Sequence, residues 1–174
     1  MNYFKFYNIP LSFNIDKGAL KRTFYANSKK YHPDFFTLDS EEKQAEILEL
    51  STLNNEAYKT LNDFDKRLKY ILELKGVLEE EGKNKLPQSF LMEMMDLNEA
   101  MMELQFGYDE KEAEKVRQMV ENHEVVIYSE VKDIIENYND KVTPDSDLLK
   151  VKDYFLKKRY LLRIFENLNK FASA

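Results

Sequence analysis

The chain has 174 residues, of which 43% are hydrophobic and 33% charged, so one or two small domains with a real core are expected. Only four Gly and four Pro occur, which argues against a turn-rich β architecture. The absence of cysteine excludes disulfides, thiolate metal sites and a cysteine nucleophile. No signal-peptide pattern opens the chain, and no apolar run approaches the roughly 20 residues that cross a bilayer. We therefore expect a cytoplasmic protein without a membrane partner.

The net charge of −6 is unevenly distributed. Residues 1–75 carry 12 Lys and Arg against 11 Asp and Glu, whereas residues 76–174 carry 14 against 21. The acidic second half argues against nucleic acid as a partner, because it would repel the phosphates. A surface that docks an acidic partner is expected in the first half.

Apolar periodicity predicts an all-α fold. In the first half, residues 2–7 are expected to form a short aromatic turn. Asp16 is a candidate N-cap for a helix from Lys17 to about Tyr31, and Ser40 for a helix to about Leu61. A fourth helix is predicted from Asp65 to about Lys75, with Leu68, Ile71 and Leu72 buried. The third helix is expected to pack antiparallel to the second, with this inward stripe: Ala45, Leu48, Thr52, Leu53, Ala57, Tyr58 and Leu61.

The helix that starts at Lys17 has two different faces. Its apolar face is formed by Leu20, Phe24, Asn27 and Tyr31, which fall within about 60° of one another. Its opposite face is basic and consists of Lys21, Arg22 and Lys29, with Lys30 at the margin. Residues 17–30 contain five basic residues and no acidic one, so the basic face has no neutralising group within its own helix and is available to a partner.

This helix runs into Tyr31-His32-Pro33-Asp34. The sequence alone allows an ordinary helix-terminating turn, or a fragment of a metal site or active site built on His32 and Asp34. The only other histidine, His123, falls within a separate predicted helix, and no acidic cluster near His32 completes a metal coordination sphere. No nucleophile and base pairing and no glycine-rich phosphate loop is visible. We therefore predict neither catalysis by this chain nor a metal or cofactor.

Residues 76–86 interrupt the helical pattern with two glycines and a run of glutamates, and they are predicted to be a linker between domains. Residues 87–174 then contain three helical patterns with short connections, which predict an up-down-up bundle. The predicted segments are about Gln88–Phe106, Glu110–Tyr138 and Asp147–Phe171.

The first bundle helix has more apolar residues than one buried stripe requires. The stripe is formed by Phe90, Met94, Leu97, Met101 and Leu104, of which the last four lie within about 40° of Phe90. Leu91, Met92, Met95 and Met102 fall outside it, interleaved with Asp96, Glu99 and Glu103. Two interpretations stay open. The surplus is either a docking patch, for which adaptable Met side chains are suited, or extra core against the first domain or a second copy.

Residues 1–75 resemble a J-domain, in which a His-Pro-Asp turn joins a basic helix to an antiparallel partner. The segment 55–61 (NEAYKTL) resembles the third J-domain helix. Finer features are similar to the HscB-type co-chaperones: Tyr3-Phe4, Ile9-Pro10, Phe36, residues 67–72, and the run from Phe90 to Glu99 that resembles the family's client-binding helix. Without cysteine and starting directly at the J-domain, the chain resembles the bacterial form, which lacks an N-terminal cysteine metal site.

The resemblance implies a co-chaperone of iron–sulfur cluster assembly. It implies that the J-domain stimulates the ATPase of a DnaK/HscA-type chaperone through His32, Pro33 and Asp34, with docking by Lys21, Arg22, Lys29 and Lys30. It also implies that the bundle binds an IscU-type scaffold protein through Leu91, Met92, Met95, Asp96, Glu99, Glu103 and Phe155. A J-protein that delivers a different client is the nearer alternative.

Overall fold

The structure is a computed structural model that describes residues 2–80 and 82–173. Met1, Ala174 and Glu81, which falls in the predicted linker, lie outside that description. The described residues form helices and no strand, so the all-α prediction is confirmed. The chain divides into two compact units, residues 1–74 and residues 75–174.

The described residues of the first unit form four α-helices: α1 (Tyr3–Phe6), α2 (Lys17–Lys30), α3 (Glu41–Asn62) and α4 (Phe64–Leu74). Both predicted N-caps are confirmed. The carboxylate of Asp16 accepts a hydrogen bond from the Ala19 N–H at 2.9 Å, and the Ser40 hydroxyl accepts one from the Lys43 N–H at 3.3 Å. These bonds satisfy N–H groups that have no partner within the first turn of a helix.

Helices α2 and α3 pack antiparallel, as predicted. The Phe24 ring stacks on Tyr58 with centroids 4.2 Å apart, and one turn later the Ser28 hydroxyl accepts a hydrogen bond from Asn54 Nδ2 at 3.1 Å. The residue number of the α3 partner decreases by four, from 58 to 54, when that of α2 increases by four, from 24 to 28. The two helices therefore run in opposite directions.

A buried polar network fixes this helix pair to α1. Asn54 is only 1% exposed and Tyr7 3%, and the Tyr7 hydroxyl donates to Asn54 Oδ1 at 2.8 Å. The amide of Asn54 also donates to the Phe24 carbonyl oxygen at 3.2 Å. Burial raises the pKa of the Tyr7 hydroxyl, which stays protonated and keeps donating. A buried polar network of this kind specifies one rotation of each helix.

The inward stripe predicted for α3 is partly wrong. Ala45, Leu48 and Thr52 are exposed, and Leu48 is 60% exposed. The residues of α3 that are buried are Ile47, Asn54, Ala57 and Leu61. Ala45, Leu48 and Thr52 lie about 120–180° around the helix from Asn54, on its far side, whereas Ala57 and Leu61 are buried as predicted.

Arg67 is a buried charged residue that ties α4 to its surroundings. It is 3% exposed, and its Nε donates to the Phe13 carbonyl oxygen at 2.8 Å, while its Nη1 donates to the Leu61 carbonyl oxygen. Burial lowers the pKa of the guanidinium, which nevertheless stays charged because its ordinary pKa is so high. The predicted burial of the apolar α4 residues is confirmed, with 0% exposure for Leu68, Ile71 and Leu72.

The second unit contains α5 (Gln88–Glu93), α6 (Met95–Phe106), α7 (Glu110–Ser129), α8 (Lys132–Glu136) and α9 (Asp145–Ser173). Helix α6 packs on α7 and α9, and α7 packs on α9, so the three segments form the predicted bundle. Two of the three predicted helices are interrupted, the first at Met94 and the second around Val131.

The interruption at Val131 changes which side chains are buried. The Val131 N–H bonds to the Tyr128 carbonyl oxygen three residues back at 3.1 Å, whereas the Ile135 N–H makes the ordinary four-residue bond at 2.9 Å. After this tight turn Ile135 is 0% exposed and Ile134 is only half-buried. In α9 Leu162 is 47% exposed and Ile164 is buried.

Candidate functional site

The His32-Pro33-Asp34 turn follows α2 directly. The last helical bond joins the Tyr31 N–H to the Asn27 carbonyl oxygen at 2.8 Å, and Pro33 then begins a 3-10 turn that ends at Phe36. His32 is the N-cap of this turn, and its Nδ1 accepts a hydrogen bond from the Asp34 N–H at 3.3 Å. The connection between α2 and α3 therefore starts as a short helical turn.

The turn presents polar groups of opposite character to solvent. The side chain of His32 is 51% exposed and that of Asp34 is 83% exposed. Because Nδ1 accepts a hydrogen bond, a neutral His32 carries its proton on Nε2 and offers an N–H donor. The Asp34 carboxylate offers acceptors beside it, with Oδ2 3.7 Å from His32 Nδ1. Within the described parts of the chain no three His, Asp or Glu side chains are grouped so that they could hold a metal ion.

Two apolar side chains flank the turn. The ring of Phe35 lies 5.5 Å from the imidazole of His32, centroid to centroid. Phe35 is 67% exposed, and Leu38 is fully exposed at 101%. The imidazole thus rests against one aromatic ring and keeps its other edge open to a partner.

The four basic residues predicted for docking, Lys21, Arg22, Lys29 and Lys30, are all exposed. Among the described residues none of them has a carboxylate within ion-pair distance. The pKa of the Asp16 carboxyl is lowered mainly by the hydrogen bond from the Ala19 N–H, and the charge of Arg22 also lowers it, so Arg22 interacts with a carboxylate at longer range. The positive charges of Lys21, Lys29 and Lys30 are uncompensated. Lys29 and Lys30 lie in the last turn of α2, where the helix dipole favours positive charge.

The surplus apolar side chains of the second unit are exposed. Leu91 is 42% exposed, Met92 65% and Met95 64%, so none of the three is part of the core of the second unit. The predicted buried stripe is confirmed, because Phe90, Met94, Leu97, Met101 and Leu104 are each at most 9% exposed. We call Leu91, Met92 and Met95 the apolar patch.

Three carboxylates accompany the apolar patch along α6. Asp96, Glu99 and Glu103 are exposed, and in the part of the chain that the structure describes none of them pairs with a cation. Unpaired carboxylates beside exposed Leu and Met attract a partner surface that combines apolar side chains with Lys or Arg.

Phe155 is the exception among the residues predicted for this surface. It is only 5% exposed, because it faces inward from α9 between Val151 and Leu161, both 0% exposed. Phe155 therefore belongs to the bundle core and is not exposed like the other residues predicted for this surface. Met102, which belongs to the predicted apolar surplus, is 60% exposed, and Phe106, which was not predicted, is 87% exposed. The spacing of eleven residues between Met95 and Phe106 is the signal that would have found Phe106.

Among the described residues no helix has both the length and the apolar character needed to span a bilayer.

Comparison with known proteins places this arrangement in a family. The family model described as the HSCB C-terminal oligomerisation domain matches residues 86–169. The Co-chaperone protein HscB of Buchnera aphidicola is 36% identical over 169 residues, which cover 92% of this chain and 95% of that protein. The HscB homolog of Shewanella denitrificans is 28% identical over 178 residues and covers 100% of this chain and 98% of its own.

Solved structures show the same fold. The crystal structure of human co-chaperone protein HscB matches with a TM-score of 0.76 and 26% identity, over 97% of this chain and 81% of the human one. Chaperone HscB from Vibrio cholerae matches with a TM-score of 0.71 and 24% identity, over 99% and 98% of the two chains, and supports the fold alone. The architecture is thus an N-terminal J-domain followed by a C-terminal helical bundle, and the chain belongs to the HscB family of co-chaperones.

Proposed function

We propose that this co-chaperone is an adaptor in cytoplasmic iron–sulfur cluster assembly that brings an IscU-type scaffold protein to a DnaK/HscA-type chaperone and stimulates the chaperone's ATPase. The observation that carries the proposal is the coexistence of two exposed docking surfaces of different chemistry. One is the basic face of α2 with the His32-Pro33-Asp34 turn, and the other is the apolar patch with its carboxylates. Residues 1–75 act as the J-domain, residues 76–86 as the linker, and residues 87–174 as the scaffold-binding bundle.

The basic face of α2 docks on an acidic surface of the chaperone. Lys21, Lys29 and Lys30 make no ion pair within the described residues, so docking does not first have to break one. Attraction between such exposed charges steers encounter and falls with ionic strength, since the Debye length is about 10 Å at 0.1 M salt.

The His32-Pro33-Asp34 turn then acts on the chaperone's conformational equilibrium. Pro33 fixes φ at the first residue of the 3-10 turn, which sets the direction in which His32 and Asp34 point. The Nε2–H of His32 and the carboxylate of Asp34 enter the chaperone's own hydrogen-bond network and bind its hydrolysis-competent state better than its resting state. Hydrolysis itself takes place in the chaperone, so this chain is an activator and not an enzyme.

The bundle binds the scaffold protein through Leu91, Met92 and Met95, with Asp96, Glu99 and Glu103 as the charged rim. A scaffold held on the same chain as the J-domain has a raised effective concentration at the chaperone's substrate site. Delivery and ATPase stimulation are thereby coupled without any catalytic group in this protein.

A pull-down with two variants tests the proposal and separates its halves. The wild-type chain is expected to recover both a DnaK-type chaperone and the iron–sulfur scaffold from a bacterial lysate. His32→Gln is expected still to recover the scaffold in the pull-down, and to fail to stimulate ATP hydrolysis when it is added to the chaperone. Met92→Ala with Met95→Ala is expected to recover the chaperone without the scaffold. Recovery of the chaperone together with another client and no scaffold would instead assign the chain to delivery of that client.

A further inference from the structure

The exposed apolar surface of the bundle continues well beyond the apolar patch. Met102 is 60% exposed and Phe106 is 87% exposed, and both lie on α6 after Met95. At 100° per residue Met102 lies about 20° to one side of Met95 and Phe106 about 20° to the other. The three side chains therefore form one straight ridge, which we call the α6 ridge.

The α6 ridge is as long as a typical interface element. Eleven residues separate Met95 from Phe106, which at about 1.5 Å per residue gives a ridge of roughly 17 Å. A groove of about 630 Å³ runs beside it and is lined by Met95, Asp96, Asn98, Glu99, Met102, Glu103 and Phe106. On one edge Asn98 is held in place, because its Nδ2 donates to the Tyr160 hydroxyl at 2.7 Å.

Burial within the bundle does not explain these side chains. The core stripe of the same helix is complete without them, since Leu97, Met101 and Leu104 already occupy its inner face with 0%, 9% and 3% exposure. Exposed Met and Phe in one contiguous strip are unusual on a protein surface that has no partner. The ridge is thus surplus to folding in the same sense as the apolar patch.

The charges around the ridge restrict what can cover it. Glu99 lies about 40° from Met95 and Glu103 about 80°, on the same side, and neither is paired within the described residues. An acidic or purely apolar occupant would leave these carboxylates repelled or desolvated without a partner, at considerable cost. Lys or Arg beside apolar side chains satisfies both features.

We infer that the docking surface for the scaffold protein extends along the whole α6 ridge to Phe106, and that Met102 and Phe106 anchor an apolar segment of the scaffold flanked by Lys or Arg. This inference rests on the proposed function, because the occupant is the same scaffold protein. It adds a second half to the surface, and it assigns Glu99 and Glu103 to contacts with basic residues of that segment.

Calorimetric titration of the purified scaffold protein into the full chain tests the inference. Met102→Ala with Phe106→Ala is expected to raise the Kd by about tenfold, since well-placed apolar anchors carry much of an interface's binding energy. The matched control is Leu149→Ala with Leu162→Ala, which removes two side chains that are 50% and 47% exposed on α9 and is expected to leave the Kd within twofold. Glu99→Gln with Glu103→Gln is expected to raise the Kd and to flatten its dependence on salt.

The outcomes separate this inference from the proposed function. If Met92→Ala with Met95→Ala weakens binding while Met102→Ala with Phe106→Ala stays within twofold of wild type, the extension is wrong and the proposed function stands. If the wild-type chain does not bind the scaffold at all, the proposed function fails and the extension fails with it. If sedimentation shows self-association that only Met102→Ala with Phe106→Ala abolishes, at unchanged scaffold affinity, a second copy covers the ridge and the inference is overturned.

Discussion

Truncation of the apolar patch is expected to separate binding from stability. The perturbation is Leu91→Ala, Met92→Ala and Met95→Ala in one variant. With 42%, 65% and 64% exposure, the three residues together expose the equivalent of about 1.7 whole side chains. Burying one Leu or Met side chain completely contributes about 1.5–3 kcal/mol. After allowance for the Cβ that Ala retains, the triple variant is expected to lose roughly 2–3 kcal/mol of binding free energy. This corresponds to a Kd for the scaffold that is about 30- to 150-fold higher.

The same side chains contribute little to folding, and the chain offers a matched control. Met94 lies between Met92 and Met95 in sequence but is 0% exposed. Met94→Ala is expected to lower the free energy of unfolding by about 2–5 kcal/mol, whereas Met95→Ala is expected to change it by at most about 0.5 kcal/mol.

Calorimetry of scaffold binding and urea unfolding of the same preparations are the two assays. The triple variant is expected to unfold at nearly the wild-type urea concentration and to bind the scaffold weakly. The reasoning is refuted if the triple variant binds like wild type, or if it loses as much stability as Met94→Ala, which would show that the patch is packed as core.

Three further predictions concern the J-domain. Asn54→Leu is expected to lower the free energy of unfolding by about 2–4 kcal/mol in a urea titration, because it removes the shorter hydrogen bond of the buried Tyr7 hydroxyl and both bonds that the Asn54 amide donates. The exposed neighbour substitution Asn55→Leu is expected to be nearly neutral. Asp16→Ala is expected to lower the urea midpoint of unfolding at pH 7, and the difference between the two midpoints should shrink as the pH falls below 3.8, the ordinary pKa of the Asp16 carboxyl. Because the folded state lowers the pKa of this carboxyl, the carboxylate stabilises the fold above pH 3.8, and this stabilisation is lost as the carboxylate is protonated. A difference that grows in acid would contradict the N-cap. Raising NaCl from about 50 to about 300 mM is expected to weaken chaperone binding, and Lys21→Ala with Lys29→Ala should reduce that salt dependence; an unchanged slope would exclude docking by the basic face.

Local signals in the sequence predicted much of the fold. The caps at Asp16 and Ser40 and the buried stripe from Phe90 to Leu104 depend on residues within a few positions of one another, and all are confirmed. The basic face of α2 is exposed because its four cations cannot be buried without partners. Exposure of the predicted site residues follows from these local patterns except at Phe155.

Tertiary packing decided what the sequence pattern could not. Asn54 faces inward on α3 because Tyr7 and Phe24, distant in sequence, supply its hydrogen-bond partners. Ile135 is in the core and Ile134 is not, because the tight turn at Val131 interrupts the helical register. Phe155 was assigned to the scaffold-binding surface by resemblance, and it is buried because it lies on the inner side of α9. The exposure of Leu91 within the second unit also required the packed structure, because periodicity cannot show which apolar side chains a bundle leaves uncovered.

The most direct test of the account is ATP hydrolysis by a purified DnaK/HscA-type chaperone, measured with scaffold protein and either wild-type chain or His32→Gln. The side chain of His32 is 51% exposed, so the substitution is expected to leave unfolding free energy and scaffold affinity unchanged. We expect the wild-type chain to accelerate hydrolysis, most strongly with scaffold present, and His32→Gln not to accelerate it while binding the scaffold with wild-type Kd. Stimulation by His32→Gln equal to that of wild type would contradict the role assigned to the turn.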